Sequence, residues 1–223
     1  MPYSLIPSAQ KKPHYGLLLL VLLVLLVVAP LMPPDTPEYG VEFFFDLVLV
    51  MGAYSTLTGS KHRLPFLVLT ALTLATRWAD MVGDQSSFSL ASIVLVIAWL
   101  VYAVALIVVA LFRMPSVDTN TILAAIVAYV LAAVAFASLF ELIELMQPGS
   151  FRGLSMDGLP REIEHALMYF SVVSITTMGY GDIVPVSSLA RSFASLEGMF
   201  GTLYLAVMIA RLVGLHGRSE DGA

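Results

Sequence analysis

The sequence predicts an all-α membrane protein with six transmembrane helices, a re-entrant helix after the fifth, and an extended polar segment before the sixth. Three observations predict it. Of the 223 residues, 59% are hydrophobic and only 12% charged, where a soluble domain carries about a quarter charged. Six apolar runs are separated by short polar or Pro/Gly-bearing stretches such as PPDTPEYG and GSKHRLP. One stretch, SVVSITTMGYGDIVP from Ser171 to Pro185, carries backbone polar groups that a lipid-facing segment cannot leave unpaired.

Composition also excludes functions. There is no cysteine, so disulfides and thiolate metal sites are ruled out. A pI near 5.2 argues against a nucleic-acid partner, since phosphate binding needs a basic surface. No nucleophile and base are suggestively paired and no metal-ligand spacing occurs, so an enzyme is not expected.

The first run, Gly16 to Ala29, follows Lys11 and Lys12 and has features of a signal peptide, with Val27 and Ala29 resembling a cleavage site. Pro30 would obstruct the peptidase there, so the run is read as a short membrane helix extended through Leu31 and Met32. Its length is marginal against the ~20 residues a bilayer demands. Further runs at 41–58, 64–82, 88–112, 120–146 and 188–215 are long enough to span. No internal repeat is visible, which leaves a transporter of inverted halves without support.

Positive charge sets the orientation. With the amino terminus inside, Lys11, Lys12, Lys61, Arg63, Arg113, Arg211 and Arg218 are cytoplasmic, while Arg152, Arg161 and Arg191 lie outside. Six crossings of the plasma membrane with both termini cytoplasmic is the consistent solution. The expected organisation is a cytoplasmic segment 1–15, a four-helix membrane unit 16–113, a second membrane unit 114–215 and a tail 216–223.

The chain between Met146 and Thr176 must then start and finish outside. Its Gly, Pro and Ser content marks MQPGSFRGLSMDG as a surface turret. Pro160 suits a first helical position, and Glu162 and Glu164 favour the positive end of a helix dipole, so Pro160–Thr176 is expected to run inward as a helix and stop partway.

Thr177, Met178, Gly179, Tyr180 and Gly181 follow. An extended backbone with its carbonyls turned to one side offers a ladder of oxygen ligands, and four ladders around an axis replace the water shell of a cation. Gly179 and Gly181 permit backbone angles of alternating handedness. The Thr177 hydroxyl supplies a further ligand at the inner end, and Tyr180 points away from the axis to brace the ladder against the re-entrant helix.

TTMGYGD, at 176–182, resembles the selectivity-filter signature of the potassium channel superfamily, and the likeness covers about 120–215 most strongly. The resemblance implies an all-α pore: a pore helix, an extended filter with K⁺ at its backbone carbonyls, and a homotetramer, because one chain holds a single filter strand. Asp182, Tyr169, Phe170, Ser174 and Thr176 would support the filter. Two departures stand out. Met178 occupies a position usually filled by valine or isoleucine, and Tyr169 and Phe170 stand where many relatives have two tryptophans, which removes their indole donors.

Gly201, nineteen residues after Asp182, has the spacing of the superfamily's hinge glycine; close helix packing is the alternative. Gly198 and Gly214 are read as packing positions. By the same alignment Thr202, Leu205 and Ile209 line the inner cavity on one helix face. Glu197 is a carboxyl within an apolar helix, costly unless paired or protonated. Two readings remain: a bond to Ser174 or Thr176 that ties the inner helix to the filter, or a protonated acid satisfied by a neighbouring helix.

The fourth helix, which carries arginines in voltage-gated relatives, has none before Arg113 at its end. Arg77 is expected to sit in an ion-paired cluster with Asp80, Asp84, Glu42 and Asp46 as a structural anchor rather than a sensor. His62 is read as a loop residue and His165 as interfacial. Only HGRSEDGA follows Leu215, so no cytoplasmic ligand-binding domain is expected. The sequence therefore predicts a potassium-selective channel with little voltage dependence, with membrane lipids and K⁺ as partners and no cofactor. A weakly selective cation channel and a non-conducting regulatory or assembly subunit are the alternatives.

Overall fold

The computed structural model describes residues 15–28, 31, 39–56, 63–82, 89–114, 116–154 and 160–220. Within them are α1 (Tyr15–Val28), α2 (Tyr39–Thr56), α3 (Arg63–Val82), α4 (Ser89–Arg113), α5 (Thr119–Met146), α6 (Pro160–Ile175) and α7 (Ser188–Glu220), with two short strands, β1 (Phe151–Arg152) and β2 (Val184–Pro185). Among the described residues, three helical stretches are long and apolar enough to cross a membrane: Leu90–Arg113, Thr119–Met146 and Ser188–Leu215. Tyr15–Val28, Phe45–Tyr54 and Leu64–Ala79 are shorter apolar helices.

α5 is the centre of the bundle and packs against α1, α4, α6 and α7. Its sequence explains this: Ala124, Ala125, Ala128, Ala132, Ala133, Ala135 and Ala137 are buried, and small side chains let several helix backbones approach in an apolar medium. Asp118 starts the helix. Its carboxylate accepts from the Thr121 backbone N–H at 2.8 Å, and the Thr121 hydroxyl closes a reciprocal cap, which satisfies donors that the first turn leaves free. α1 is tied in nearby by Tyr15 N donating to Asn120 Oδ1 at 3.3 Å.

A second junction holds α2, α3 and α4 together. Trp99 is fully buried, stacks on Phe66 at 5.2 Å and donates its indole N–H to Thr70 Oγ1 at 2.8 Å. Gly52 lets α2 close on the ring, because a Cβ there would overlap Trp99. Arg77 Nε meets Asp46 Oδ1 at 3.1 Å, Trp78 donates to the other Asp46 oxygen at 3.1 Å, and the guanidinium lies 4.5 Å from the centre of the Phe45 ring. Asp46 is thus one carboxylate that meets Arg77; the side chains of Glu42, Asp80 and Asp84 lie outside the described residues, as does His62.

α1 is described over Tyr15–Val28, 14 residues that make a rod of about 21 Å at 1.5 Å per residue; most of the expected extension through Leu31 and Met32 lies outside the described residues. α7 is helical to Glu220, past the expected end at Leu215.

Candidate ion-conduction site

α6 delivers the chain to the candidate filter and then bonds back to it. Thr177 N donates to Ser174 O at 3.0 Å, while Met178 N and Gly179 N both reach Val173 O, at 2.9 and 3.3 Å. The last carbonyls of a helix have no partner within it, and here the first residues of the candidate filter supply one. Ser174 thus contributes through its backbone. The Thr176 hydroxyl turns back to its own helix, 2.5 Å from Val172 O.

Beyond this anchor the backbone alternates in handedness. Thr177, Gly179 and Gly181 have φ of 60°, 57° and 79°, whereas Met178 and Tyr180 do not have positive φ. Reversing handedness at every second residue turns successive carbonyls toward one side, the arrangement an oxygen ladder needs. Positive φ suits glycine but is costly for a β-branched residue, so Thr177 carries strain at the inner end of the strand. The strand is open in the isolated chain: Met178 is 54% and Tyr180 68% exposed.

The far end is braced from two sides. The Tyr180 ring stacks on Tyr169, 6.4 Å between centres and 11° apart in plane, and the Tyr169 hydroxyl donates to Asp182 Oδ2 at 2.8 Å. The phenol therefore provides a donor where an indole was missed. Phe170 turns the other way, edge-on to Phe140 at 5.2 Å and Phe151 at 5.3 Å.

No sequence signal marks the role of the turret. β1 pairs antiparallel with β2, Phe151 opposite Pro185 and Arg152 opposite Val184, so this loop grips the chain leaving the candidate filter. Gly153 has φ +98°, and a Cβ there would overlap the Asp182 carbonyl. Glu144 organises the loop by accepting from Gly149 N at 2.6 Å and Phe151 N at 3.2 Å. Two-residue strands have no periodicity to detect, and an acid near a helix end is an ordinary pattern.

Asp182 lies outside the spanning helices, and the Tyr169 hydroxyl bond holds its carboxyl below the ordinary value of 3.8. With the folded pKa depressed, the contribution of that bond is complete above the unfolded value and is lost as pH falls through the folded one. Tyr169→Phe is therefore expected to raise the Asp182 titration midpoint, measurable by NMR of isotope-labelled aspartate. An unchanged midpoint would show that the phenol does not stabilise the charge.

On α7, Gly201 abuts the end of α6, where a Cβ would overlap the Ile175 carbonyl. Tyr129 donates to the same oxygen at 2.8 Å. α7 runs through Gly201 without a break, and the contact gives the glycine a packing role. Gly198 and Gly214 instead face open space. Thr202, Leu205 and Ile209 are exposed in the single chain, with the Thr202 hydroxyl bonded to Gly198 O at 3.0 Å.

Glu197 is fully buried and lies 2.5 Å from the Ser171 hydroxyl. Ser171, one helical turn before the expected Ser174, is the partner because it sits between α5 and α7; its hydroxyl is also 2.7 Å from Ala133 O. Further along α7, Arg211 reaches Leu111 O in the last turn of α4 at 2.9 Å and Met114 O, one residue past that helix, at 3.2 Å. Its partners lie about a hundred residues away, so the sequence marks it only as an interfacial cation. Among the described residues no group of three acidic or histidine side chains is placed to hold a metal ion.

Comparison with known proteins points the same way. Residues 162–215 match the ion channel family. That stretch contains all of α6 but its first two residues, the candidate filter and α7 to Leu215, so the match is to a transport pore and not to an enzyme. The chain is also 33% identical over 92 residues to the inward rectifier potassium channel Kirbac3.1 of Paramagnetospirillum magnetotacticum, a stretch covering 41% of this chain and 27% of that protein. This is a distant similarity to a protein of which the chain spans about a quarter. No solved structure matches significantly.

Proposed function

We propose that the chain is one subunit of a potassium-selective channel in which four copies surround a pore and conduct K⁺ passively. The observation that carries this is the alternation of backbone handedness through Thr177, Gly179 and Gly181 in a strand that follows a helix stopping partway. Carbonyl oxygens from four such strands would replace the hydration shell of K⁺. The open face of α7, with Leu196, Met199, Leu203 and Ile209 exposed, fits a helix that lines a cavity and meets its copies. Six crossings of the plasma membrane, both termini cytoplasmic, remain the topology that the positive charges favour.

Native mass measurement in mild detergent is expected to give four copies, and liposomes loaded with K⁺ are expected to lose it down its gradient while retaining Na⁺. A monomer with no flux supports a non-conducting subunit instead. Equal loss of both ions supports a weakly selective pore.

Opening is expected to be nearly independent of voltage. A unit charge crossing the full field contributes about 2.3 kcal/mol per 100 mV, and steep gating needs several in each subunit. α4 has no basic residue before Arg113, and Arg77 is bound to Asp46. Single-channel recordings from about −100 to +100 mV test this: an open probability rising e-fold every few millivolts contradicts it.

A further inference from the structure

The Glu197 side chain is fully buried in the helix that would line the pore, and its Oε2 has no hydrogen-bond partner. The phenols of Tyr129 on α5 and of Tyr204, two turns along α7 itself, are engaged elsewhere: Tyr129 donates to Ile175 O and Tyr204 to Ala125 O at 2.7 Å. No base is paired with Glu197 among the described residues. A carboxylate placed so would be a buried, uncompensated charge, which is far costlier than a buried neutral group.

Counting protons at Ser171 leads to the same place. Its hydroxyl holds one proton but has two oxygens at bonding distance, Ala133 O at 2.7 Å and Glu197 Oε1 at 2.5 Å. A backbone carbonyl can only accept. If Ser171 donates to Ala133 O, the proton in the shorter contact comes from Glu197. The chain then reads Glu197 O–H to Ser171 Oγ, and Ser171 O–H to Ala133 O, linking α7, α6 and α5 through two bonds. The carboxyl carbonyl is the oxygen left without a partner, a much smaller penalty than an unpaired charge.

Ser171 lies two residues before Val173, whose carbonyl holds the N–H groups of Met178 and Gly179. Whatever fixes α6 at Ser171 therefore fixes the inner end of the candidate filter. We infer that Glu197 is a positioning residue which, as a neutral acid donating to Ser171, locks the re-entrant helix between α5 and α7 and holds the filter strand in its selective geometry. This rests on the proposed function above.

The test compares Glu197→Gln, Glu197→Leu, Ser171→Ala and the double variant Ser171→Ala/Glu197→Leu, each first shown to assemble like the parent. Glutamine keeps a donor without a charge, so Glu197→Gln is expected to retain the parent K⁺/Na⁺ permeability ratio. Ser171→Ala leaves the buried Glu197 donor unpaired and Glu197→Leu removes the bond that ties α7 to α6; each is expected to lower the ratio at least about tenfold, with the double variant no worse than either single one. Loss of selectivity in Glu197→Gln would mean that the charged form is the working one and would overturn the inference, as would unchanged selectivity in Ser171→Ala.

An infrared measurement is independent of conduction. The parent is expected to show a protonated carboxyl C=O band at neutral pH that disappears in Glu197→Gln and shifts in Ser171→Ala. A parent that is unselective but shows this band refutes the proposed function and leaves the proton where it is placed here. Absence of the band overturns the inference whatever the channel conducts.

Discussion

Replacing Gly179 with alanine is expected to abolish selective K⁺ flux while the chain still inserts and assembles. The effect is conformational. Gly179 has φ +57° and nothing within 4 Å of an added Cβ, so alanine meets no obstacle within the chain. It does meet the cost of the left-handed region, roughly 1–2 kcal/mol, which recurs in each copy around a shared axis. Relaxing to negative φ relieves that cost but turns a carbonyl out of the ladder. Gly198→Ala is the matched control: it also has open space but lies inside α7, where alanine is favoured over glycine by about 1 kcal/mol. Flux from liposomes, read beside native mass, separates the outcomes. Full K⁺ selectivity in Gly179→Ala would mean that its backbone angle is not what builds the site.

Gly201→Ala is expected to destabilise the folded protein. A methyl there would overlap the Ile175 carbonyl, and its next contact is the Ile175 side chain at 2.9 Å. Backbone cannot yield as a flexible side-chain end does, and overpacking of this kind costs about 1–3 kcal/mol. For a chain of this size the melting temperature falls by about 2–4 °C for each kcal/mol. A hinge glycine behaves differently: alanine would strengthen the helix and leave melting unchanged or raised, altering only opening. Melting in detergent of Gly201→Ala beside Gly214→Ala, which faces open space, distinguishes the two.

The parts of the molecule legible in the sequence are those written in long, one-dimensional patterns. α4, α5 and α6 begin and end within about a residue or two of the expected bounds, as boundary assignment allows, because unbroken apolar runs or a proline start mark them. TMGYG announces an unusual backbone because glycine has a physical reason to recur at alternate positions, and the angles at Gly179 and Gly181 follow that reason. What was hidden depends on pairing across space. Ser171 and Ser174 are indistinguishable in sequence as partners for Glu197, and the helical phase relative to α5 decides between them. Arg211 reads as a cation at a membrane face, yet it caps the end of α4.

Whether four of these strands form one potassium-selective pore is tested most directly by the reversal potential of the full chain in planar bilayers with equal K⁺ on one side and Na⁺ on the other. The potential is expected to be displaced strongly in the direction that K⁺ diffusion sets, carried by tetramers and lost in Gly179→Ala. A reversal potential near zero, with current through assembled protein, would contradict it.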